Sequence, residues 1–143
     1  MNDADRPPVQ RAAFFQRAVA YLIDGLLFVP VDLALVVAFG PNGSYLTVPL
    51  GLLYFAYLEG SPSGQTVGKR ALGIRIVDAR GSSSGIGFGR GLIRYLGKIL
   101  SSLPLLLGFF WMLWDSEKQT WHDKIASTVV VPEAAMPVDR WPG

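Results

Sequence analysis

The chain has 143 residues, no cysteine and a net charge of only +2, with 50% hydrophobic residues and a mean hydropathy of +0.33. That length suits one domain, and the hydrophobicity exceeds that of an ordinary soluble globular protein, so the composition points to a membrane protein. Without cysteine, a disulfide framework and a thiolate metal site are both excluded.

Residues 1–11 open with MNDADRPPV, polar and proline-containing, and are expected to be a disordered tail. Helix follows from about Ala12 to Phe39, where FFQRAVAYLIDGLLFVPVDLALVVAF is about 26 residues or ~39 Å as helix, enough to cross a bilayer. Its late start and its acids, Asp24 and Asp32, argue for a retained span rather than a cleaved signal peptide. Pro41-Asn42-Gly43-Ser44 is turn chemistry. The second apolar run, Tyr45 to Leu58, is about 14 residues, short for a ~30 Å hydrocarbon core unless the bilayer thins or Glu59 snorkels. Together the two runs predict a pair of transmembrane helices joined by a short outer loop.

After the loop GSPSGQ, the stretch VGKRALG reads as a short basic helical turn at the membrane surface. Leu72 to Asp78 then alternates apolar and polar residues and is rich in Ile and Val, which argues strand; Ser127 to Val131 is a second such run. An antiparallel pair of about 73–78 with 127–131 requires both on one side of the membrane. Between them, Phe88 to Leu100 places Arg90, Arg94 and Lys98 at i, i+4 and i+8, a cationic stripe on an otherwise apolar helix. Pro104 breaks the pattern, and Leu105 to Trp114 is only about 10 residues, or ~15 Å. A Pro-broken amphipathic hairpin returning to the cytoplasmic side fits both the lengths and the strand pairing; the alternative is one tilted span from about Gly91 to Trp114. The fold class is therefore an all-α membrane protein with a small β pair, its membrane domain over residues 12–131 and a disordered tail over 132–143.

Arg6, Arg11 and Arg17 precede the first run and Lys69, Arg70, Arg75, Arg80, Arg90, Arg94 and Lys98 follow the second, whereas PNGSY between them is uncharged. By the positive-inside rule the N-terminus and the Glu59 to Arg90 region are cytoplasmic, and the returning hairpin puts the C-terminus on the same side, in a multi-pass cell-membrane protein. Anionic lipid headgroups are the expected partners of Lys69, Arg70 and Arg75, and no nucleic-acid partner is expected. GQTVGKR only superficially resembles a phosphate-binding loop: its first glycine is one residue too close, and Arg70 stands where Ser or Thr would hold magnesium. GIGFGRG likewise misses the dinucleotide spacing. His122 is the sole histidine, with neither a second imidazole nor a thiolate to complete a metal site, and no Ser/His/Asp nucleophile set can be assembled. Neither enzyme activity nor a cofactor is expected.

The charges at membrane depth are the specific signal. Arg17 and Asp24 are seven residues apart, on one helix face but ~10 Å apart along the axis. A mid-helix aspartate costs about 2.5–3.5 kcal/mol to insert, so Asp24 should face protein or water and a cation on another helix, with Arg90, Arg94 and Lys98 the candidates. Pro30 frees the carbonyl of Leu26 near Asp32. A carboxylate beside freed backbone can make a cation or proton site; a structural ion pair is the plainer alternative.

Three segments together, FFQRAVAYLIDGLL, EGSPSGQTVGKRALGIRIVD and QTWHDKIASTVVV, resemble the RDD family of small membrane proteins, named for an arginine and two aspartates. The resemblance runs from about Ala13 to Val131. It assigns the family arginine to Arg17, the first aspartate to Asp24 and the second to Asp123, with Gly64, Thr66, Gly68, Lys69, Arg70 and His122 in the surrounding motifs. Pro30 and Asp32 belong to no family motif. The resemblance implies few transmembrane segments and no settled activity, with transport, including cation/proton exchange, among the proposed roles. Two expectations follow. One is a transport-related protein with a polar interior of Arg17, Asp24, Arg90, Arg94 and Lys98, enclosed by a homo-oligomer; the other is a non-catalytic scaffold or accessory subunit held together by those charges.

Overall fold

A computed structural model describes residues 10–80, 85–102, 107–138 and 141. The N-terminal stretch before Gln10 and the break at Pro104 lie outside the described residues.

The first apolar run forms α1 (Phe14–Phe39), unbroken through Pro30. Its start is capped by Gln16, whose side-chain oxygen accepts from the Ala13 amide at 3.0 Å, and it stops at Gly40, whose φ of 75° favours glycine. A 3₁₀ turn, Pro41–Leu46, folds back so closely that a Cβ on Gly43 would sit 2.2 Å from the Leu35 carbonyl oxygen. Helix α2 (Thr47–Gly60) returns antiparallel to α1, with Thr47 beside Asp32 and the Tyr54 and Phe55 rings against Phe28. The α1 helix is long and apolar enough to cross a membrane, and little of it is buried within the chain.

Helix α4 (Phe88–Ser102) packs antiparallel on α2, and glycines set the distance. Added Cβ atoms would lie 2.3 Å from the Ala56 carbonyl at Gly91 and 2.4 Å from the Gly87 carbonyl at Gly60. This helix is inside out. Ile93, Leu96, Ile99 and Leu100 are exposed, Leu96 by 53%, whereas Arg94 on the opposite face is 0% exposed and Lys98 is buried beside it. A water-facing helix has the reverse arrangement. Such a face calls for an apolar surrounding.

Beyond the undescribed 103–106 the chain has turned back. In α5 (Leu107–Phe110) the Phe110 ring stacks on Phe14 at 5.6 Å and Phe109 meets Tyr21 edge-on at 5.7 Å. A 3₁₀ turn, Trp111–Leu113, follows, and Glu117 then pairs with Arg11. The segment 107–117 thus lies along the first turns of α1. A straight third span ending at Trp114 is not the path taken.

The strands β1 (Ile74–Asp78) and β2 (Thr128–Pro132) form the expected antiparallel pair, with Ile76 opposite Val130 at its centre. Each strand is introduced by the same local device. Thr66 caps α3 (Val67–Ala71) and Thr120 caps α6 (Trp121–Ile125), each hydroxyl accepting from the amide three residues on, that of Lys69 or of Asp123. Each short helix ends in a left-handed residue, Gly73 at φ 64° and Ser127 at φ 54°. The preceding glutamines match as well: Gln65 donates to the carbonyl of Ile74 and Gln119 to that of Thr128. Outside the ladder, Ala79 N bonds Ser127 O and Glu133 N bonds Gly73 O. The two Gln-Thr-helix-turn-strand units are therefore related by an approximate twofold axis passing between Ile76 and Val130. Ala12, Ala20, Ile74, Ile76, Ile86 and Val130 make the apolar cluster that seats this sheet against the start of α1.

Candidate functional site

Five elements bring charge to one place. The i, i+4 spacing puts Arg94 and Lys98 on the inner face of α4. Glu59 ends α2, Arg17 lies in the first turn of α1, and Lys69 and Asp123 occupy equivalent third positions in α3 and α6. Arg17 Nη2 lies 2.7 Å from Asp123 Oδ2, and Arg94 pairs with Asp123 through Nη1. Arg94 Nε also reaches Glu59 Oε2 at 3.1 Å. Glu59 Oε1 takes Lys69 Nζ at 2.8 Å and Lys98 Nζ at 2.6 Å. All six side chains are buried. The signs alternate along Arg17, Asp123, Arg94, Glu59 and Lys69, with Lys98 as a branch.

The chain of charges wraps around Tyr21. Lys69 Nζ lies 4.6 Å from the ring centroid and Lys98 Nζ 5.2 Å, while the Tyr21 hydroxyl hydrogen-bonds His122 Nε2 at 3.0 Å. Lys98 also sits 4.0 Å over Phe55. Ring faces take up part of the charge of cations that outnumber the acids here. Burial would raise the Asp123 carboxyl, but Arg17 and then Arg94 outweigh it and hold the group far below the usual carboxylate range. Burial lowers the Lys69 ammonium and Glu59 overrides it, leaving Lys69 above its ordinary value. Burial pushes His122 well below the usual imidazole value, against the pull of Asp123, so its ring is neutral at pH 7.

Asp24 stands apart from this network, although it is 0% exposed. Its Oδ1 accepts from the Tyr54 hydroxyl at 2.8 Å and the Gly68 amide at 2.9 Å, and its Oδ2 accepts from the Thr66 hydroxyl at 2.6 Å. We expected a cation from α4 opposite Asp24. Neutral donors stand there instead, because α3 lies against α1 at this level and keeps α4 away. Gly68 permits the approach: a Cβ there would lie 2.0 Å from the Ala20 carbonyl oxygen.

Of the residues singled out in the sequence, Arg17, Arg94 and Lys98 share the network, and Asp24 lies beside Thr66 and Gly68 of the second motif. Arg90 does not join them. It pairs with Asp78 at 2.5 Å and donates to the carbonyls of Ala126 and Ser127, tying α4 to the sheet. Asp32 accepts from Thr47 at 2.8 Å and Ser44 at 3.3 Å, fastening the turn between α1 and α2. Lys69 and Arg75, expected at headgroups, are buried: Lys69 on Glu59, and Arg75 on the carbonyls of Pro62, Met136 and Pro137. Arg70 is exposed, its guanidinium over the Trp141 ring. Gly64, another motif residue, adopts a φ of 63° where a Cβ would strike Ile76.

Glu59 is the residue that sequence reasoning missed, having been read as an acid snorkelling from the end of a short span. The repeated Gln-Thr at 65–66 and 119–120 was the available signal for the rest, since it places Lys69 and Asp123 at equivalent sites with opposite charge.

Comparison with known proteins gives one consistent result. The sequence pattern of the RDD family matches residues 11–127. The chain is 35% identical over 86 residues to a proline-rich antigen homolog of Mycobacterium tuberculosis, covering 57% of this chain and 35% of that protein. It is 32% identical over 78 residues to the proline-rich antigen of Mycobacterium leprae, covering 54% of this chain and 30% of that one. The chain thus spans about a third of the length of these mycobacterial relatives. An uncharacterized protein of Bacillus subtilis, YxaI, is 32% identical over 148 residues, covering 84% of this chain and 96% of its own. No solved structure matches significantly.

Proposed function

Because this chain belongs to the RDD family, we propose that it is a multi-pass membrane protein in which Asp24 exchanges a proton or cation as part of a transport activity. Helices α1 and α2 form the spanning hairpin, α4 and α5 re-enter from the cytoplasmic side, and both termini and the sheet are cytoplasmic. The inside-out face of α4 and the exposed apolar surface of α1 support the membrane reading. The positive-inside distribution supports the orientation.

The observation that carries the transport reading is the surroundings of Asp24. It is a buried carboxylate with hydroxyl donors from Tyr54 and Thr66 and an amide donor from Gly68, and no cation forms an ion pair with it among the described residues. Hydroxyls can turn from donating to accepting, so oxygens from Asp24, Tyr54 and Thr66 can receive a hard cation or release the carboxylate to a proton. Two copies or more enclose the path. Flux is measured on protein reconstituted in liposomes carrying a pH-sensitive dye, across several monovalent cations. Cation-driven pH change lost in Asp24→Asn is expected; no flux above empty liposomes at any ion or pH rejects the transport reading.

A second reading, a non-catalytic scaffold or accessory subunit, is favoured by the closure of the Arg17, Asp123, Arg94, Glu59 and Lys69 chain, which joins five elements. In that case Asp24→Asn lowers folding and abundance instead of flux.

A further inference from the structure

Counted among the described residues, the alternating chain sets Arg17, Arg94 and Lys69 against Asp123 and Glu59, and the charge of Asp24 also acts on Lys69. Three cations thus meet three carboxylates, and Lys98 is left as the surplus positive charge. A buried charge without a counter-ion of its own is costly, and a lysine relieves it by releasing a proton, which an arginine cannot do.

Of the two lysines, geometry singles out Lys98. Both share Glu59 Oε1, Lys69 at 2.8 Å and Lys98 at 2.6 Å, but the Lys69 side chain is 1% exposed and that of Lys98 9%, so only Lys98 keeps an outlet for a proton. The titratable groups facing it are Tyr21 from α1, Glu59 from α2, Lys69 from α3, Arg94 one turn earlier on α4, and His122 with Asp123 from α6, which packs on Gly97. Helix α5 brings none. Two of these groups are cations, His122 is neutral, and Asp123 is already engaged by Arg17 and Arg94.

A short relay joins Lys98 to Asp24. The Thr66 hydroxyl donates to Asp24 Oδ2 at 2.6 Å and accepts from the Lys69 amide at 3.2 Å, and the Lys69 ammonium shares Glu59 with Lys98. A monovalent cation seated on Asp24 cancels the carboxylate that offsets Lys69. Lys69 then draws more fully on Glu59, and Lys98 loses its counter-ion.

We propose that Lys98 is the proton half of the exchange: as a monovalent cation binds at Asp24, one Nζ–H bond of the Lys98 ammonium breaks, the proton leaves to water, and the electron pair stays on a neutral amine that still donates to Glu59. One positive charge enters and one leaves, so the buried charge is constant. This role rests on the reading of Asp24 as a cation site and gives the proton a carrier of its own.

The test follows lysine protonation by carbon NMR of the full chain in detergent, isotopically labelled at lysine Cε, in sodium, lithium or potassium chloride against N-methyl-D-glucamine chloride. The lysines are Lys69, Lys98, Lys118 and Lys124, and Lys98→Arg identifies the signal of interest. With the bound cation saturating, the Lys98 titration should move down by about one pH unit or more, a tenfold or greater loss of proton affinity, while exposed Lys118 and Lys124 stay in place. Calorimetry in buffers of different ionisation enthalpy should show protons released on cation binding by the wild-type protein and none by Lys98→Arg, since the coupling is reciprocal. Should Lys98→Arg fail to fold, Lys98→Gln serves both purposes. Cation binding with an unmoved Lys98 titration overturns the proposal and leaves Asp24 as the cation site. No binding of any of the three cations removes the Asp24 reading itself, and the proposal with it.

Discussion

Replacing Glu59 by Gln should destabilise the protein far more than its position at the end of a short helix suggests. Glu59 holds Lys69, Lys98 and Arg94 at 2.8, 2.6 and 3.1 Å, and all four side chains are buried. Removing one partner of a buried pair leaves an uncompensated charge at a cost of about 3–5 kcal/mol. Here three cations lose their acid at once, although Arg94 keeps Asp123, so the upper part of that range is expected. At roughly 2–4 °C per kcal/mol for a chain of about this size, thermal unfolding in detergent should fall by about 8–20 °C. The informative comparison is the double variant Glu59→Gln/Lys98→Gln, which also removes a stranded ammonium and should recover about 1–3 kcal/mol relative to additivity. Unfolding followed by near-ultraviolet circular dichroism of the tryptophans reads both. A Glu59→Gln protein within about 1 kcal/mol of wild type, or strict additivity in the cycle, would refute the view that Glu59 organises the network.

Other consequences are as definite. His122 is held neutral by burial while an unfolded histidine titrates near pH 6.5, so the unfolded state binds the extra proton and stability declines as pH falls through that value. Between pH 7.5 and 5.5 the His122 share of the loss should be about 1.4 kcal/mol, read as the difference between wild type and a folded His122→Gln variant in denaturant unfolding at the two pH values. Asp123, with its folded value depressed, contributes stability that is complete above about pH 4 and is lost only below it, so a second decline is expected in strong acid. Gly68→Ala should separate α3 from α1, since its Cβ meets the Ala20 carbonyl at 2.0 Å; a loss of about 1–3 kcal/mol is expected, and an unchanged unfolding temperature counts against the packing described. A reporter fused after Val131 should lie on the same side of the membrane as one fused at the N-terminus, and opposite placement contradicts the re-entrant path of α4 and α5.

Much of the fold was legible because it is encoded locally. Phe14 to Phe39 reads as a long apolar helix, Asn42-Gly43 as a turn, and Leu72 to Asp78 and Ser127 to Val131 as strands, each from its own local residues. The strand pair followed from these together with the shortness of the 88–114 helices. Helix α6 went unread; its signal was the repetition of Gln-Thr with its threonine cap, which matches the start of α3. The site was legible in part of its membership, since Glu59 was missed and Arg90 lies outside the network, and not in its pairing. Arg17, Asp24, Arg94 and Lys98 stood out as charges in apolar surroundings, but which acid meets which cation depends on how α2, α3 and α6 dock, through Gly60, Gly68, Gly91 and Gly97. Hence, of the cations expected at Asp24, Arg94 and Lys98 sit on Glu59 and Asp123 and Arg90 on Asp78, and a neutral shell of Tyr54, Thr66 and Gly68 takes their place.

That this is a protein with charge inside and hydrocarbon outside is tested most directly on α4. The absence of native cysteine allows single-cysteine variants without background labelling. Spin labels at Leu96 and Leu100, both on the exposed face, are read by power saturation with oxygen and with a water-soluble nickel complex in reconstituted bilayers. High oxygen and low nickel accessibility at both sites is the predicted result. Nickel accessibility equal to that of a label at exposed Arg80 would contradict it.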